Sequence, residues 1–203
     1  MATPHFGSDN VSGIASEILE AITSANGGGV GSYGGVGLTD SLTARFAEVF
    51  ETEVSVLPVG TGTIANCLAV SFITPPWGAV YCHHDAHIMV DEANGPEFFS
   101  GGAKLADLPG DHGRLDVATV REAATAFPVD DLHHPMRAAL SITQATEWGN
   151  IYSVPQVQAL GDLCTELDMV FHMDGARFAN AVAALGCSPA EVTWKAGIDV
   201  MSF

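Results

Sequence analysis

The sequence predicts an α/β fold, a three-layer sandwich built on a mostly parallel sheet. Short apolar runs alternate with segments of helical rhythm, and the links between them are short. The 203 residues are 47% hydrophobic, enough for one substantial core. The stretch that organises the rest is Val170 to Asn180, VFHMDGARFAN. A short apolar strand there delivers Asp174 to its C-terminal edge, a glycine follows, and Arg177 falls on the first turn of the next helix. Open α/β sheets bind ligands at that edge. The plainer alternative is that Asp174 caps its helix and pairs with Arg177.

Charge and cysteine usage narrow the function classes. Seven basic residues against 24 acidic ones give a net charge of -17, which repels nucleic acid and anionic membrane surfaces. Cys67, Cys82, Cys164 and Cys187 show no CxxC spacing, as expected of reduced thiols in a cytoplasmic protein. No apolar run reaches membrane-spanning length, and the polar opening from Met1 lacks a signal-peptide pattern.

Residues 1–38 read as an N-terminal arm, a helix and a glycine-rich loop, and residues 39–203 as the major domain. Ile14, Ile18, Leu19 and Ile22 predict a helix from a Ser12 cap through Ala21. The run NGGGVGSYGGVG from Asn26 to Gly37 is either a flexible loop or a backbone that closes on a ligand, with Tyr33 able to reach beyond it. A helix from Thr39 to Phe50 carries the stripe Leu42, Phe46, Val49 and Phe50. Val54 to Val59 is a strand candidate. GTGT from Gly60 opens the next helix. Glycines and hydroxyls at a helix N-terminus suit a single phosphate, although an ordinary helix start reads the same way.

Pro75 and Pro76 end that helix, and Ala79 to Cys82 is a strand. CHHDAHIMVDE follows. Cys82, His83, His84, Asp85 and His87 invite a metal, but ligand spacing of the HExxH kind is lacking, and no metal is expected. His87, just past a strand end, could stack on a ring or move a proton. Further along come a strand ending at Leu108, a helix over Asp116 to Phe127, a strand over Ala138 to Thr143 and a helix over Val154 to Leu167. After the central strand, Pro189 to Ala196 is helical and Ile198 to Phe203 begins another strand. A chain stopping inside a strand is expected to continue.

Together DGAR, SDN, the GTGT turn, AHIMVDEANGPEFFSGGAKL, ITQATE and DVMSF resemble the low-specificity L-threonine aldolases. These pyridoxal-phosphate enzymes belong to the aspartate-aminotransferase-like group, so the resemblance implies the large domain of fold type I, with a small C-terminal domain missing. It implies pyridoxal 5'-phosphate as cofactor, with its Schiff-base lysine expected just beyond Phe203. Neither Lys104 nor Lys195 matches that position. The implied reaction is retro-aldol cleavage of L-threonine, L-allo-threonine or a related β-hydroxy amino acid to glycine and an aldehyde. The same resemblance implies roles for individual residues. Asp174 would pair with the pyridine nitrogen, Thr61, Gly62 and Thr63 would cradle the phosphate, and His87 would stack on the ring. Ser8 and Arg177 would hold the substrate carboxylate, and Tyr33 would reach a neighbouring subunit's site in a homodimer or homotetramer. Asn10, Glu92, Gln144, Thr146 and Glu147 would support the site. Val36 and Gly37 stand where the family usually has an acidic residue before the threonine. The alternatives are a β-eliminating lyase and, if no lysine follows Phe203, a noncatalytic binding or assembly protein.

Overall fold

The computed structural model describes residues 13–29, 31 and 37–203. Ser8, Asn10, Ser12, Tyr33 and Val36 lie outside them. The chain forms two compact units, residues 1–44 and 45–203. In the first, helix α1 spans Ser16–Ala25, starting and ending later than the sequence pattern predicts. Gly13 disfavours a helical start, and the helix runs on until Asn26 and the glycines after it. Helix α2, Gly37–Phe50, begins in the first unit and ends in the second. It stops where Glu51 turns left-handed, at φ 57°.

Residues 54–59 do not form the expected strand. Val54 packs against the core, but Leu57 is exposed and Pro58 has no N–H to give to a ladder. Helix α3 then covers Gly62–Ile73, with the Thr61 hydroxyl accepting the Ile64 N–H at 3.2 Å. Strand β1 (Gly78–His83) leads to the short helices α4 (His87–Val90) and α5 (Gly95–Phe99), then to β2 (Lys104–Leu108). Helix α6 (Val117–Ala124), capped by Asp116, precedes β3 (Met136–Thr143). Helix α7 (Val154–Leu167) opens with a reciprocal Ser153 and Gln156 cap and leads to β4 (Val170–Asp174). Helix α8 (Phe178–Leu185), a 3-10 turn over Trp194–Ala196 and β5 (Val200–Ser202) complete the chain.

The five strands run parallel in the order β2-β1-β3-β4-β5. Alternation sends their side chains to two separate cores. Tyr81, Leu140, Ile142, Phe171 and Met173 face one side with α6 and α7, while Val80, Cys82 and Ala139 face the other with Val70 of α3. Phe171 and Met173 are fully buried, and truncating either to alanine costs about 2–5 kcal/mol. Gly161 makes close packing possible on the first side. A Cβ there would sit 2.2 Å from the Ala196 carbonyl oxygen, so only glycine lets α7 meet the 3-10 turn. Asn66, on the second turn of α3, bonds Asp174 and Ser202 at the ends of β4 and β5, so the start of α3 lies at the edge where the strands end. No described helix is long and apolar enough to cross a membrane.

Candidate active site

Asp174 ends β4 and is buried, with 4% of its surface exposed. Its Oδ1 accepts the Ala176 N–H at 3.1 Å, and its Oδ2 accepts an N–H of Asn66 at 2.9 Å. The same Asn66 nitrogen donates to Glu92 Oε1 at 2.7 Å, and Ser202 Oγ donates to the Asn66 carbonyl oxygen. His87 Nδ1 lies 2.9 Å from Glu92 Oε1. One amide therefore ties together the ends of β4 and β5, the second turn of α3 and the turn after α4. The helix-cap alternative for Asp174 is partly realised, since it holds the Ala176 N–H. Its second oxygen faces inward, and no bond to Arg177 is found among the described residues.

Local backbone explains how Glu92 arrives there. Ala93 and Asn94 are both left-handed, at φ 50° and 60°, an unfavourable pair for non-glycine residues that reverses the chain sharply. Gly95 then closes on α3, where a Cβ would sit 2.6 Å from the Cys67 sulfur. Burial raises the Glu92 carboxyl above its usual range; hydrogen bonds from Asn66 and His87 oppose the shift, and the Asp174 charge adds to it. On the same face of β4, two residues earlier, His172 is fully buried with Nδ1 2.9 Å from Ser141 Oγ and Nε2 unpartnered. Burial lowers its pKa from 6.5 to about 4, against the pull of Asp174.

The other expected residues sort themselves by contact. Glu147 Oε1 accepts the His87 backbone N–H at 3.0 Å, so Glu147 holds the His87 backbone while Glu92 holds its ring. Gln144 instead pairs both ends of its amide with the Tyr152 backbone, and Thr146 bonds His112 and Asn150; these two shape the loop after β3. Thr61 and Gly62 are exposed and Thr63 half-exposed at the start of α3. Among the described residues the Gly62 and Thr63 N–H groups have no acceptor, as the first turn of a helix requires. Arg177 is half-buried at the N-terminus of α8. Lys104 is exposed at the opposite edge of the sheet, where β2 begins, and Lys195 pairs with Glu51 at 2.6 Å. Burial pushes the Cys82 and Cys164 thiols up to about 12, which leaves them unreactive.

Asn66 and Ser202 are absent from the residues expected of the site. Asn66 carried one usable signal, a lone amide inside the apolar helical run TIANCLAV. A buried polar group must find a partner.

The sequence and the fold are shared with known proteins. The profile of the beta-eliminating lyase family matches residues 5–203. The chain belongs to this family. Among its relatives, a low specificity L-threonine aldolase of Pseudomonas sp. is 44% identical over 98% of the chain and 57% of that protein. One of Pseudomonas aeruginosa is 42% identical over 99% of the chain and 58% of that protein. The chain thus spans somewhat over half the length of these relatives. The threonine aldolase structure of Leishmania major superposes with a TM-score of 0.83 at 24% identity, over 90% of this chain and 53% of that one. The fold of this family member is the large domain of fold type I pyridoxal-phosphate enzymes.

Proposed function

We propose that the full-length protein is a pyridoxal-phosphate-dependent aldehyde-lyase of the cytoplasm. It cleaves L-threonine, L-allo-threonine or a related β-hydroxy amino acid to glycine and an aldehyde. The observation that carries this reading is the Asp174 carboxylate, buried at the strand edge and linked through Asn66 and Glu92 to the His87 ring. The names of the two Pseudomonas relatives support the choice of substrate.

The residues present suit the cofactor. Asp174 accepts two hydrogen bonds, which leaves a carboxylate free lone pairs for a ring N–H. The unused Gly62 and Thr63 N–H groups and the Thr61 hydroxyl offer phosphate donors at the positive end of a helix. A Cβ built on Gly60 or Gly62 meets nothing within 4 Å, so the space before that helix is open. When bound, pyridoxal phosphate supplies the sink for the electron pair left as the Cα–Cβ bond breaks.

With the cofactor bound, Asp174 would place an anion beside the ring nitrogen and so favour its protonated form. His87 would stack on the ring and can hold a proton at Nε2. Arg177, with Ser8, orients the substrate carboxylate, because a guanidinium matches that group in a two-point fork. Tyr33 serves the site of a second subunit in a homodimer or homotetramer.

The test uses the full-length protein supplied with pyridoxal phosphate. Its absorbance is followed with and without glycine, borohydride trapping locates the attached lysine, and products are identified from threonine. Glycine and acetaldehyde, with the adduct just past Phe203, support the reading. Pyruvate or another keto acid with ammonia would make it a β-eliminating enzyme. No adduct and no product would leave a noncatalytic binding protein.

A further inference from the structure

We propose that Glu92 is the positioning residue of this site, fixing His87 as its Nδ1–H tautomer while Asn66 binds the same carboxylate to Asp174. The proposal rests on the reading of His87 and Asp174 given above. Three observations carry it.

The first is the direction of each hydrogen bond. Asn66 Nδ2 contacts two carboxylates, Glu92 Oε1 and Asp174 Oδ2, and the Asn66 carbonyl oxygen takes the Ser202 hydroxyl. Only one orientation of the amide satisfies all three, because ionised carboxylates accept and do not donate. Glu92 Oε1 accepts the Asn66 N–H, and with Glu92 ionised the imidazole nitrogen 2.9 Å away is the donor to the same oxygen.

The second is exposure. The Glu92 side chain is wholly buried, whereas 38% of the His87 side chain is open. With Nδ1 turned to the buried carboxylate, Nε2 keeps its lone pair and has no partner among the described residues. Histidine acts through one nitrogen while the other is held.

The third is that the ring is held independently of its backbone. Glu147 accepts the His87 N–H, so losing Glu92 leaves the backbone anchored and releases the ring. The unpartnered Glu92 Oε2 means that no other described group competes with Asn66 and His87 for this carboxylate.

The experiment is histidine-selective carbon and nitrogen NMR on the full-length protein, with and without pyridoxal phosphate. The His87 signals are assigned by their disappearance in His87→Asn. Wild-type protein is expected to show the Nδ1–H tautomer by the Cδ2 and ring-nitrogen shifts, already in the cofactor-free state. Glu92→Met, which keeps length and removes the acceptor, should move His87 toward the Nε2–H form favoured by free imidazole. It should also lower kcat roughly 10-fold with little change in KM, the scale of an outer-shell orienting contact. Glu92→Gln keeps an acceptor oxygen and should preserve the wild-type tautomer, with kcat within about 3-fold. An Nε2–H tautomer in wild-type protein overturns the proposal whether or not either variant folds. So does an Nδ1–H signal unchanged in Glu92→Met. Failure of the wild-type protein to bind pyridoxal phosphate would instead sink the functional reading and leave the tautomer result standing.

Discussion

Two polar clusters lie within ten residues of each other in CHHDAHIMVDE, and they behave differently. His83, His84 and Asp85 satisfy one another and the nearby backbone. His83 Nδ1 accepts the Asp85 N–H at 3.1 Å, His84 Nδ1 meets the Leu108 carbonyl oxygen at 3.2 Å, and Asp85 Oδ2 takes the Trp148 N–H at 2.8 Å. His87 and Glu92, a few positions on, are drawn into a network with Asn66, Asp174 and Ser202. The ring of His84 and the carboxylate of Asp85 remain substantially open to solvent, whereas Glu92 and Asp174 are buried. Similar residue types thus form a partly solvated cluster in one place, where only the His83 ring is buried, and a desolvated one in the other. What separates them is the depth of the carboxylates: Asp85 is open to solvent, whereas Glu92 and Asp174 are buried and share one amide.

The largest expected effect tests the interior network at its centre. Asp174→Ala should lower kcat of the full-length, cofactor-loaded protein by about 100- to 1000-fold, the scale of losing a preorganised charge at the reacting centre. Unchanged turnover would remove Asp174 from the site.

The interior should also respond to acid through His172. Its folded-state pKa is about 4 and its ordinary value 6.5. Between those values the unfolded chain takes up a proton that the folded chain refuses, so stability is full above pH 6.5 and falls as the pH drops toward 4. The full loss is on the order of 3 kcal/mol. His172→Gln should flatten this part of the unfolding free energy against pH, measured by denaturant titration from pH 7 to pH 4. The same slope in both proteins would assign it to other groups.

Asn66→Ala should cost about 2 kcal/mol in the same denaturant assay, because it strands a hydrogen-bond acceptor on each buried carboxylate. At the small end, His84→Ala should stay within about 0.5 kcal/mol of wild type and leave turnover unaltered, as for exposed residues outside a network. A large loss in His84→Ala would erase the contrast between the two clusters.

Much of the fold was legible because its signals are short-range. The bounds of α7 and β4 are those expected from the apolar pattern of the sequence, and the fold adds the Ser153 cap and the left-handed Asp168 that seal them. The strand expected over 54–59 had the right composition, but Pro58 and an exposed Leu57 deny it a place in a ladder. In the site, Asp174 and His87 could be singled out because each follows a strand end. Glu92 and Glu147 stood out only as candidates for support, and their separate holds on the His87 ring and backbone appear only once the chain is folded.

The sequence by itself determined the parallel α/β layering, the aspartate at the end of β4 and the glycine- and threonine-rich start of α3. Each depends on residues within a few positions of one another, where backbone geometry and side-chain spacing suffice. That β4 stands one place in from the sheet edge and not at its centre was decided by the fold. Only the tertiary structure decided that Asn66 bridges two carboxylates. Its partners Glu92, Asp174 and Ser202 lie 26, 108 and 136 positions away in the chain. No periodicity spans such distances; the sheet order that brings those strand ends together, and the burial that forces each polar atom to find a partner, do so instead.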